Sequence, residues 1–355
     1  MTKKNRWRLM VLLFISLFVG ACAPAEQAVK KNPEKTVVAA NDETVKIGFS
    51  MDTLKEERWL KDQALFKEAV EALGAEVEIV AANGDDALQI TQAETLIQQG
   101  IDLLVIVPHN AEATAAIVHK AHSAGIKVIA YDRLIKNASI DLYVSFDNER
   151  VGELQAEAIL ELVPKGNYVY IGGATTDNNV HLIKKGVFNV LQPAIDQGDI
   201  KVVYDQWTED WSPEKAFLNM TEALAANNNQ IDAVIAANDA TAGGVIQALA
   251  AQGLAGKIPV AGQDAELAAV QRIVGGTQTM TVYKPIQILT EQVASLAVRM
   301  AKGDTITTAR AVNNGKVDVP SILLAPIPVT IDNLQDTVIK DGFHTQSDVY
   351  GQAAK

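Results

Sequence analysis

The stretch "IDLLVIVPHNAEATAAIVHKAHSAGIKVIAYDR", Ile101 to Arg133, contains a complete strand–helix–strand unit. Ile101–Pro108 is an almost unbroken apolar run, too short for a helix and bounded by Pro108-His109-Asn110. Ala111–Gly125 follows at helical spacing, with Gly125 as the stop. Ile126–Asp132 is a second apolar run. Strands that are apolar on both faces are covered on both faces, and an amphipathic helix between two of them makes them parallel. The polar residues collect where each strand ends, at His109-Asn110 and Asp132-Arg133.

The same alternation extends in both directions. Upstream lie the strand "VKIGFSM" from Val45, a helix closed by Gly74, the strand "AEVEIVAAN" and a helix closed by Gly100. Downstream, "DLYVSFD" completes the first series. A second begins with the helix "ERVGELQAEAILELV" and carries the strands "NYVYIGG", "IKVVYDQW", "IDAVIAAND", "IPVAGQD" and "TQTMTVYK", again separated by helices. This predicts an α/β fold of two doubly wound parallel-sheet lobes, meeting near Phe146 to Glu149. A chain of 355 residues also exceeds what one simple core accommodates. The helix "PIQILTEQVASLAVRMAKG" and the segment "VPSILLAPIPVTIDNL" could complete either lobe.

The N-terminus has a different character. Lys3, Lys4, Arg6 and Arg8 precede an apolar run from Leu9 to Val19, then small residues and Cys22. The run falls short of the roughly 20 residues of a spanning helix and has the layout of a secretory signal peptide, residues 1–21. "VGAC" resembles the bacterial lipoprotein signal, in which the residue after cleavage is the lipid-bearing cysteine. Cys22 is the single cysteine of the chain, so it is read as the lipidation site, and no disulfide can form within the chain. Residues 22–44 are polar, with Pro and Lys, and read as a flexible tether. Such an anchor holds a soluble module at a membrane surface.

Hydrophobic residues at 48% and charged residues at 21% describe a globular chain. A formal charge of -12 argues against nucleic acid as a partner, because phosphate binding needs a basic face. No G-x-G-x-x-G follows the first strand, and "IGGATTDNN" lacks the Lys-Ser/Thr of a phosphate loop. There is no G-x-S-x-G. His119 and His122 could share a helix face, but no third ligand accompanies them. The sequence therefore predicts no enzyme, no cofactor and no metal.

In open α/β sheets ligands bind beyond the carboxyl ends of the strands. Here those ends carry Asp52, His109-Asn110, Asp132-Arg133, Asp177-Asn178-Asn179, Trp207 with Trp211, Asn238-Asp239, Gln263-Asp264 and Tyr283-Lys284. Facing each other, two such rims make a polar cleft with aromatic walls. Carboxylates accept from hydroxyls, Arg and Lys donate to them, amides do both, and indoles stack on C–H faces. That combination suits a monosaccharide.

These strand ends, with "ERWLKDQ", "IKVIAYDRLI", "YVSFDNERVGELQA", "IDAVIAANDATAGGVIQALAAQGL", "GQDAEL" and "GTQTMTVYKPI", are similar to the sugar-binding group of bacterial periplasmic binding proteins, and within it to D-xylose-binding members. The resemblance covers about Val45 to His344. It implies a type I periplasmic binding protein, two lobes joined by a three-segment hinge at Phe146–Asn148, Lys284-Pro285 and Ile322–Val329. The first lobe would take 45–147 and 285–320, the second 148–284 and 321–345, leaving 346–355 as a tail. The implied substrate contacts are Arg58, Trp59, Asp132 and Arg133 from the first lobe. From the second they are Asn179, Trp211, Asn238 and Asp264, with Lys284 at a crossing. Asn178 and Trp207 are alternatives to their neighbours, in the least regular segments. The implied partners are D-xylose or a similar monosaccharide, an ABC transporter permease and through it the ATPase, and the membrane through Cys22. The implied binder is a monomer. Ribose, arabinose or glucose as the sugar, and a sensor role beside a membrane signalling kinase, remain alternatives.

Overall fold

Strand and helix alternate along the whole of residues 44–351, the part that the computed structural model describes. The signal segment, Cys22 and nearly all of the tether lie outside the described residues, as do residues 352–355. The first series comprises β1 (Lys46–Met51), α1 (Glu57–Ala72), β2 (Glu76–Ala81), α2 (Asp86–Gln98), β3 (Leu103–Ile106), α3 (Ala115–Ser123), β4 (Lys127–Tyr131) and β5 (Leu142–Phe146). The second comprises α4 (Asn148–Leu162), β6 (Gly166–Ile171), α5 (Asn178–Asp196), β7 (Ile200–Gln206), α6 (Pro213–Ala226), β8 (Ala233–Ala236), α7 (Asp239–Ala251), β9 (Val260–Gln263), α8 (Leu267–Val274) and β10 (Met280–Tyr283). Then come α9 (Ile286–Ala301), β11 (Arg310–Asn313), β12 (Asp318–Leu324), β13 (Ile327–Val329) and a short α10 (Gln346–Tyr350).

Among the described residues these strands form two sheets, in the orders β11-β12-β5-β4-β3-β1-β2 and β13-β10-β9-β8-β6-β7. Pairing is parallel except at one edge of each sheet, where β11 meets β12 and β13 meets β10 antiparallel. The central strands β3, β5 and β8 are buried along their whole length, as their continuous apolar sequences require. The two doubly wound sheets agree with the sequence; the antiparallel edges are additional.

The chain passes between the sheets three times, after Phe146, after Tyr283 and after Leu324. Helix α9 returns to the first sheet: Ile286, Leu289 and Val293 pack with Phe49, Phe66 and Tyr131 in one core cluster. Strand β12 stays paired with β5 through Leu324, so residues 321–324 remain with the first sheet. The segment read as a tail instead forms α10, whose Val349 is buried beside Val270 and Ile273. Its Thr345 caps Asp348 N at 3.1 Å, and Asp348 O accepts from Gln271 Nε2 at 2.8 Å. A single apolar residue gives too weak a periodicity to be seen in sequence.

Candidate functional site

Beyond the carboxyl ends of the two sheets lies a cavity of about 330 Å³. Arg58, Trp59, Asp132, Arg133, Asn179, Trp211, Asn238, Asp264 and Lys284 all line it, joined by Glu56, Asp177 and Gln263. Arg58 and Trp59 come from the first turn of α1, Asp132 and Arg133 from the end of β4, and Asn179 from the start of α5. Trp211 closes a one-turn helix, Glu209–Trp211, just before α6. Asn238 caps α7, Asp264 follows β9, and Lys284 follows β10.

Three of these residues hold left-handed backbone: Asp132 at φ 60°, Trp211 at 55° and Asp264 at 93°. Such conformations cost roughly 1–3 kcal/mol each in a non-glycine residue and tend to collect at functional sites. At Asp132 the turn is closed by Arg133 N donating to Tyr131 O at 2.6 Å. Trp211 follows Asp210, also at 55°. The glycines of "IGGATT" explain how the indoles fit. A Cβ at Gly172 would meet Trp207 at 2.4 Å, and one at Gly173 would meet Trp211 at 2.4 Å.

The cations of the site are paired before any ligand arrives. Arg58 reaches Asp132 at 3.0 Å, Asp62 at 3.2 Å and Asp264 at 3.5 Å. Arg133 reaches Asp52 at 2.6 Å and Asp177 at 2.8 Å. Lys284 lies 3.4 Å from Asp264. Burial works to raise Asp132, but Arg58, Lys284 and Arg133 outweigh it and hold its carboxyl below the usual carboxylate range. Burial dominates at Asp177 and pushes it up despite Arg133. At Asp52, burial is outweighed by the His109 hydrogen bond and by Arg133, so the carboxyl is lowered. His109 in turn is raised by that bond, made from Nδ1 at 2.9 Å.

Hydrogen-bonding capacity remains. Asn179 Oδ1, Gln263 Oε1, Glu56 Oε2 and Trp211 Nε1 are buried without a protein partner. Asn238 spends its carboxamide oxygen on Thr241 N at 2.9 Å, leaving its NH₂ as the group it can offer. Chemically, the arrangement suits a neutral, hydroxyl-bearing molecule: a net charge would disturb paired ions, whereas hydroxyls both donate and accept.

The alternatives left open by the sequence lie elsewhere. Asn178 faces a separate groove with Thr175 and His181. Trp207 packs edge-on to Tyr170 at 6.3 Å and under Lys184 at 4.5 Å. His122 pairs with Asp141 at 2.9 Å. Asp177 and Gln263 belong to the strand-end rim read from the sequence; Glu56 does not. Its signal was a glutamate standing where a helix cap is normally Ser, Thr, Asp or Asn.

The two lobes touch directly around this cavity. Asn179 Nδ2 donates to Asp132 O at 3.2 Å, and Ala111 N to Thr176 O at 2.9 Å. Outside it, Glu57 Oε2 accepts from Leu267 N at 2.8 Å, and Lys61 Nζ donates to Phe343 O at 2.8 Å.

Comparison with known proteins agrees with this architecture. The profile of a periplasmic binding protein domain matches residues 47–305. The chain is 53% identical over 314 residues to the D-xylose-binding periplasmic protein of Escherichia coli, covering 88% of this chain and 95% of that one. It is also 53% identical over 312 residues to the protein of the same name from Haemophilus influenzae, covering 88% and 94%. Among solved structures, a carbohydrate transporter solute binding protein from Chloroflexus aurantiacus in complex with D-glucose superposes with a TM-score of 0.80. The two are 32% identical, and the match covers 86% of this chain and 98% of the other. Such proteins bind their substrates without transforming them. With this profile, these relatives and two doubly wound sheets closing on one polar cavity, the chain belongs to the periplasmic binding protein family.

Proposed function

We propose that this protein captures D-xylose between its two lobes outside the cytoplasm and delivers it to an ABC importer. The observation that carries this reading is a lining whose three cations are already paired with carboxylates and that still contains unpaired polar atoms, Asn179 Oδ1, Gln263 Oε1 and Trp211 Nε1. A neutral polyol supplies O–H donors to the two oxygens and an oxygen to the indole N–H. Trp59 and Trp211 supply the aromatic walls against which a sugar ring can stack. The relatives that bear the D-xylose-binding name support the pentose as the ligand.

In this reading Arg58, Asp132, Arg133, Asn179, Asn238, Asp264 and Lys284 meet the hydroxyls, and the three passages between the sheets act as the hinge. Because sugar touches both lobes only when they are closed, it shifts the hinge equilibrium by its differential affinity, and the permease reads the closed form. Epimers are disfavoured because buried polar partners go unsatisfied. The protein acts as a monomer, anchored through lipid on Cys22 after removal of residues 1–21.

Calorimetric titration with D-xylose, ribose, arabinose and glucose tests the reading. One site of about micromolar affinity or better, roughly -8 kcal/mol, is expected for xylose, with the other sugars weaker. No binding of xylose, or a tighter fit to another of the four, overturns it.

A further inference from the structure

The sugar cavity adjoins two larger spaces between the lobes. One, of about 620 Å³, is lined by Asp52, Asn83 and His109; the other, of about 1,150 Å³, by Ser212, Glu214 and Glu266. Two side chains line all three spaces: Glu56 from the first lobe and Trp211 from the second. They form the partition between the enclosed site and the outer cleft.

Glu56 is an unusual partition. It occupies the cap position of α1 with cap-like backbone, φ -78° and ψ 143°, yet its side chain makes no capping bond. Capping normally favours a short side chain that folds back on the helix. Here the longer chain extends between the cavities, with Oε2 buried and unpartnered. Burial pushes its carboxyl up, against the pull of Arg133. A local rule is broken without gain to the helix, which marks a side chain placed for another purpose.

We infer that the bulk of Glu56 is the stop that confines the site to a pentopyranose, excluding sugars that carry an additional carbon at C5 or on the anomeric oxygen. This rests on the sugar-binding reading. The space that a larger sugar needs exists next to the site, so exclusion depends on the partition and not on a shortage of room. Trp211 walls the ring itself, which leaves Glu56 as the part of the partition that can be shortened. A snug wall around one extra carbon commonly discriminates about 10–200-fold.

The test compares the parent protein, E56A and E56Q by calorimetry with D-xylose, D-glucose and methyl β-D-xyloside. Glucose adds a hydroxymethyl group at C5, and the xyloside adds a methyl group at the anomeric oxygen. In E56A the preference for xylose over at least one larger sugar should fall tenfold or more. E56Q keeps the bulk and should keep the parent preference. A fall of less than tenfold in E56A for both larger sugars overturns the inference. So does an equal fall in E56Q, which assigns the effect to charge, or loss of xylose binding in both variants, which makes Glu56 a ligand contact. A parent protein that binds no xylose overturns the function itself, and this inference with it.

Discussion

Asp264 is held at φ 93° between Arg58 and Lys284, and Trp211 at φ 55° against the bare backbone of Gly173. Both side chains line the cavity, so replacing either should cost binding. Asp264→Ala leaves two buried cations short of a partner, and Trp211→Ala removes an aromatic wall. Each should weaken xylose at least 30-fold, about 2 kcal/mol, in protein that circular dichroism shows still to be folded. Near-parent affinity in calorimetry for both variants would contradict the assignment. At this scale much of the cavity was legible, because ligands gather at strand ends and polar residues interrupt the apolar runs there. Arg58 and Trp59 were legible only through resemblance, since they sit in a helix rather than at a strand end. Asn179 over Asn178, and Trp211 over Trp207, depends on helix phase and on glycines that admit an indole. Neighbouring residues in sequence do not encode that.

The helices were legible because their apolar spacing and caps agree. Ser212 accepts from Lys215 N at 3.2 Å, with Pro213 at the first helical position, as the "WSPE" sequence suggests. Closeness between helices was not. A Cβ at Gly152 of α4 would lie 1.9 Å from Ile183 O of α5, and one at Gly186 of α5 would lie 1.9 Å from Glu149 O of α4. The two glycines are reciprocal, and together they set the helix separation. In sequence each reads only as a weak point in a helix. Gly152→Ala should therefore destabilise despite alanine's better helix propensity, by about 1–3 kcal/mol from overpacking. Urea unfolding that shows equal or greater stability would refute this. The antiparallel edges and α10 were likewise hidden, because they are short and depend on partners far along the chain.

Across the whole molecule, closure is held by contacts remote from the cavity. Lys61 donates to Phe343 O, lies 3.8 Å over the Phe343 ring and pairs with Glu57 at 2.9 Å. Glu57 itself accepts from Leu267 N of the opposite lobe. None of these residues lines the cavity. Lys61→Ala should thus open the molecule without touching the ligand. It should weaken every sugar by one common factor of roughly tenfold, the worth of a charge-assisted hydrogen bond. Calorimetry with two sugars checks this, since a changed ratio between them would place Lys61 in recognition instead. The bilobal plan was legible from two series of alternating elements. The latch was not, because it joins residues more than 200 positions apart.

The internal pairing of Arg58, Arg133 and Lys284 with buried carboxylates has a consequence for the surroundings in which such a protein works. Mobile ions screen exposed charges but penetrate a dry, closed site poorly. A neutral ligand brings no charge of its own to be screened. Recognition inside the cavity should therefore vary little with salinity, which outside the cytoplasm follows the environment, and any salt dependence of capture should enter through the partly exposed Lys61–Glu57 pair.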